Sequence, residues 1–87
     1  MNKFTFHTDE KFEKLCNAIA LRMVELFGIS EQEAIGRINR QWSHIIYTGP
    51  DSVLYHETAD YYAKLIYYPA GTFWWKGEKG LNPKPYP

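Results

Sequence analysis

A single cysteine in 87 residues excludes an intrachain disulfide, and with it the small secreted scaffolds that use crosslinks in place of a large core. Charge of one sign is not in excess either. Ten Lys and Arg balance ten Asp and Glu, so the broad positive field of a protein held on nucleic acid by phosphate contacts is missing, and a nucleic-acid partner is not expected. No apolar run approaches the ~20 residues of a membrane-spanning helix, and residues 1–6 lack the apolar stretch of a secretory leader. The expected location is a reducing cytoplasm, with no membrane contact. A Gly-rich phosphate loop, a Gly-x-Ser-x-Gly elbow and a Cys-x-x-Cys pair are absent from the sequence, so no cofactor is implied.

Aromatic rings are plentiful. Ten of the fifteen Phe, Tyr and Trp residues fall between Trp42 and Trp75. A domain of this size buries only roughly two thirds of its unfolded surface, so each large ring weighs heavily in its stability. The spacing of apolar residues predicts a mainly α, compact three-helix domain over residues 1–76. It ends in an irregular or short-strand aromatic segment, followed by a loose Pro-containing tail at 77–87.

Helix 1 is read from Phe12, Leu15, Cys16, Ile19, Met23, Leu26 and Phe27, which recur at three- and four-residue steps. Thr8 is its expected N-cap and Gly28 its stop. Helix 2 opens on a capping box, Ser30 with Glu33, and carries a stripe of Ile35, Ile38 and Trp42. Beyond it, residues 43–47 suit a helix or an extended strand. A third helix, capped by Asp51 or Thr58, gathers Leu54, Thr58, Tyr61, Tyr62, Leu65 and Tyr68 on one side and stops at Pro69. Phe4 and Phe6 alternate like a small strand, but an arm docked on the core would use the same residues.

Candidate recognition residues are Trp74, Trp75 and Lys76, where adjacent rings in extended backbone point to opposite sides, together with Tyr67, whose helical phase turns it away from the expected core. Two rings covering the base of the core is the alternative for the tryptophan pair. Gly36 inside helix 2 costs about 1 kcal/mol relative to Ala, so a ring or a neighbouring helix is expected to approach its backbone. Arg37 and Arg40 with Trp42 suggest a ligand-binding surface of guanidinium and ring. A simple helix-surface pair, Glu33 with Arg37, accounts for the same residues. His56 and Glu57, with His44, belong to a ligand or acid–base reading, but position 60 is Asp where the zinc-protease motif needs His, so no metal site is expected. Cys16 lies on the apolar stripe, where an inert buried thiol is expected.

The series Arg37-Ile38-Asn39-Arg40-Gln41-Trp42, then Tyr55-His56-Glu57, Tyr61-Tyr62-Ala63 and Ile66-Tyr67-Tyr68 resembles small bacterial proteins without an assigned activity. The likeness spans roughly residues 30 to 76. It implies a bacterial origin and carries neither ligand nor activity. The residues themselves favour a protein-interaction module, binding a partner or a second copy through aromatic surface, over small-ligand or single-stranded nucleic-acid binding by an Arg and aromatic cleft. No catalytic set emerges.

Overall fold

The computed structural model describes residues 4, 9–43, 53–69 and 82–86. Among them stand three α-helices, α1 (Glu10–Phe27), α2 (Glu31–Gln41) and α3 (Ala59–Tyr67), with a short 3-10 turn at Val53–His56 ahead of α3. The mainly α reading holds. The short strand expected within 71–75 lies outside the described residues, as do residues 44–47 of the stretch 43–47 that suits a helix or an extended strand.

α1 is capped by Asp9 rather than Thr8. The Asp9 carboxylate accepts from the Phe12 N–H at 2.8 Å, and a negative charge at this end also complements the helix dipole. At the other end Gly28 adopts a left-handed φ of 67° and its N–H reaches the Val24 carbonyl at 3.0 Å. The buried stripe is Phe12, Cys16, Ile19, Ala20 and Met23, with Leu15, Val24 and Phe27 along its margins. Leu26, expected on the stripe, is exposed because it falls at the edge of the arc that Met23 and Phe27 define.

α2 starts where Ser30 Oγ accepts from the Glu33 N–H at 3.0 Å. The reciprocal half of the capping box is replaced, because the Glu33 carboxylate binds Arg37 instead. α3 takes Thr58 as its cap, the hydroxyl accepting from the Tyr61 N–H at 3.1 Å, so the helix is the shorter of the two alternatives. That start resets the helical phase. The inward residues are Tyr62, Ala63 and Ile66, flanked by Ala59, Leu65 and Tyr67; Tyr62 and Leu65 of the expected set keep their places, whereas Tyr61 is exposed and Ala63 and Ile66 join the interior. Tyr68 is extended, as a residue before proline must be, and ends the helix.

The three helices meet around Phe12, Trp42 and Tyr62. The Trp42 ring lies 5.6 Å from Phe12 and meets Tyr62 edge-on at 5.5 Å. Phe4 is also buried here, which favours the docked-arm reading of the N-terminal residues. Ala20, Ala34 and Ala63 fill the remaining interior with small side chains. At the rim, Arg22 of α1 donates to Asp60 of α3 through Nε at 2.9 Å, and Lys64 adds a second cation at 3.2 Å. Together they hold the Asp60 carboxyl below its ordinary pKa.

Cys16 is buried, and desolvation followed by the Glu13 charge pushes its thiol up to about 12. Its folded pKa thus lies above the unfolded one. The associated stability is complete below the unfolded pKa of 9.0 and is lost as pH rises from there toward 12. Urea titrations of wild type and Cys16→Ala across pH 8.5 to 11 should therefore converge as pH rises. Phe12→Ala should lower the unfolding free energy by about 3–5 kcal/mol in the same assay, because a fully buried ring at the centre of the three helices is lost.

Candidate functional site

Arg37 is the unusual side chain of the interior. It keeps the expected pair with Glu33, Nε to Oε2 at 2.8 Å, but the pair does not sit on the surface, since the Arg37 side chain is only 4% exposed. Burying a guanidinium is costly unless it is neutralised and its donors are met. Two rings supply what one carboxylate does not. The Arg37 Cζ lies 4.9 Å from the centre of the Tyr67 ring and 5.3 Å from that of Tyr86, both within cation–π range. Its Nη1 is buried and has no hydrogen-bond partner among the described residues.

Tyr67 reaches this position from α3 by stacking on Phe27 of α1, rings nearly parallel at 3.7 Å, so it is half-buried and packed against the core. Its ring is thus occupied on one side by Phe27 and approached by Arg37. Tyr86 comes from the C-terminal segment. Within the tail expected to be loose, Lys84 and Tyr86 of the segment 82–86 lie against α2 and the end of α3. The Lys84 N–H donates to the Tyr67 carbonyl at 2.9 Å, and Lys84 Nζ reaches Gln41 Oε1 at 3.0 Å. We call this segment the arm.

Gly36 explains how the arm fits. The Tyr86 hydroxyl occupies the space that a Cβ at position 36 would need, so only glycine leaves room for the ring on this turn of α2. The approach of a ring, expected from the sequence as the reason for a mid-helix glycine, is the arrangement that forms. Arg40, one turn along, brings its Cζ to 5.4 Å from the same Tyr86 ring. Lys84 therefore enters a field already set by two guanidinium groups. Burial first, then Arg40 and Arg37, lowers its pKa.

Of the residues singled out from sequence, Arg37, Arg40 and Tyr67 are brought together. Trp42 is drawn into the core instead. His56, at the end of the 3-10 turn, and Glu57 after it are exposed, and Asp60 is taken up by Arg22 and Lys64. Among the described residues no three His, Cys, Asp or Glu side chains gather as a metal site. Trp74, Trp75, Lys76 and His44 lie outside the described residues. Gln41, Lys84 and Tyr86 were missed as site residues. The signals for them are Gly36 and the Pro-Lys-Pro-Tyr run, the two halves of one contact. A separate recess of about 360 Å³ between α1 and the start of α2 is lined by Asn17, Ala20, Leu21, Val24 and Glu31, none of them a residue singled out for function.

Comparison with protein families, curated proteins and solved structures finds no match for this chain.

Gly36→Ala tests the notch directly. The added methyl favours α2 by up to about 1 kcal/mol but collides with the Tyr86 hydroxyl. In the intact chain the two effects should offset each other, and nuclear Overhauser contacts between the Tyr86 ring and α2 should vanish. In a Tyr86→Ala background the same substitution should stabilise by the full propensity term. Equal effects in both backgrounds would show that ring and glycine are uncoupled.

Proposed function

We propose that this protein is a protein-interaction module whose α2 face captures a short proline- and tyrosine-containing segment of a partner, with its own arm holding the place in the partner's absence. The observation that carries this reading is the seating of Lys84 and Tyr86 against α2 and the end of α3. One backbone hydrogen bond to Tyr67, one side-chain hydrogen bond to Gln41 and one ring in a glycine notch beside two arginines are contacts of the kind that hold a short peptide. Prolines at 83 and 85 limit the conformational freedom such a segment loses on docking.

A single-stranded nucleic acid would also find rings and arginines here. The chain as a whole is neutral, however, and the local excess of cations extends over about one turn of helix, which suits one short peptide better than a run of phosphates. The tethered arm competes at an effective concentration on the order of millimolar, so a partner must either exceed that level or bind with better chemistry.

The full chain with Tyr86→Ala leaves the notch open, since Tyr86 lies outside the helical core. Titrated with an end-capped Asn-Pro-Lys-Pro-Tyr peptide, this variant should show saturable NMR shifts of the Gly36 amide and of the Arg37 and Arg40 Nε–H signals. The wild-type chain should respond far less at the same peptide concentration. No saturable response, or a stronger one to oligothymidine than to peptide, would contradict a peptide-binding face.

A further inference from the structure

The arm fits the groove in shape but not in charge. Lys84 is a cation placed beside two others, Arg37 and Arg40, and its direct hydrogen bond goes to a neutral oxygen of Gln41. The carboxylate bound to Arg37 is Glu33 of the same helix, which leaves three cations against one bound anion among the described residues. Arg37 Nη1, in a side chain more than nine-tenths buried, adds a donor with no acceptor among the described residues. A buried donor left unmet and a cluster of like charges both cost free energy, and both are relieved by the same change.

We infer that the groove is built for a segment with a carboxylate where its own arm carries Lys84, two residues before a tyrosine, so that its preferred partner presents an acidic Asp/Glu-Pro-Tyr sequence. This deepens the peptide-binding reading and rests on it. A carboxylate at that place turns two repulsions into attractions and supplies an acceptor for guanidinium donors, which pair with carboxylates more strongly than with neutral groups. The tyrosine keeps its place in the Gly36 notch. The arm is then an occupant that fills the groove without satisfying it, and an acidic segment displaces it on chemistry rather than on concentration alone.

Two end-capped peptides, Asn-Pro-Lys-Pro-Tyr and Asn-Pro-Glu-Pro-Tyr, titrated into the Tyr86→Ala chain decide the matter. The Glu peptide should bind about tenfold more tightly at low salt, as expected for reversing one charge beside a buried arginine and an exposed one. The advantage should shrink in ~0.5 M salt and on adding Arg40→Gln, which alters an exposed side chain. Equal affinities, or a tighter Lys peptide, would overturn the charge preference while leaving the groove intact. Failure of both peptides would overturn the groove and this inference together. The intact chain gives an independent comparison in cis: Lys84→Glu should hold the arm more firmly, with stronger Tyr86–α2 Overhauser contacts than wild type, and weaker contacts would count against the proposal.

Discussion

A guanidinium withdrawn from water is the constraint around which this molecule is arranged. Arg37 sits on the inner side of α2, and its burial is tolerable only because three other elements contribute to its surroundings. Glu33 supplies charge from the same helix. Tyr67 supplies a ring from α3, held in place by stacking on Phe27 of α1, and Tyr86 supplies another from the arm. One side chain thus ties all three helices to the C-terminal segment. Removing any of these partners leaves the charge less compensated, so the arm takes part in the energetics of the fold as well as in any recognition.

The division of labour among the rings follows from this. Phe4, Phe12, Trp42 and Tyr62 serve the apolar interior, where area removed from water dominates. Tyr67 and Tyr86 work at the boundary, each with a face turned to a cation. Among the described rings of the second half, Tyr61 and Tyr86 remain partly exposed, while Tyr67, read as outward-facing, is largely used by Phe27 and Arg37. Aromatic surplus here provides a cradle for arginine more than an apolar face.

The fold was legible where local rules act alone. The α1 stripe, the Ser30 cap, the Gly28 stop and the break at Pro69 follow from spacing and backbone chemistry within a few residues, and they form as read except that Leu26 falls off the stripe. Misreadings arose where phase had to be carried through a turn. Tyr61 falls inward when helical geometry is extended back through the 3-10 segment, whereas a helix beginning at Ala59 leaves Tyr61 exposed and turns Ala63 and Ile66 inward beside Tyr62. The site was half legible. Gly36, Arg37 and Arg40 drew attention as residues needing a partner, but that partner lies some fifty residues away in sequence, and no local pattern joins Gly36 to Tyr86. Nor does a helical wheel show that an arginine opposite a tyrosine is buried; only the tertiary approach of Tyr67 and Tyr86 makes it so.

Solvent exchange of the Arg37 Nε proton, compared with that of Arg40 in the same NMR experiment, reports on the central claim most directly. A guanidinium bound to Glu33 and covered by two rings should exchange its Nε proton much more slowly than Arg40 does, and Tyr86→Ala should erase a good part of that difference. Exchange of Arg37 as fast as Arg40 in the wild-type chain would mean that the arginine is solvated, and that neither the rings nor the arm are organised around it.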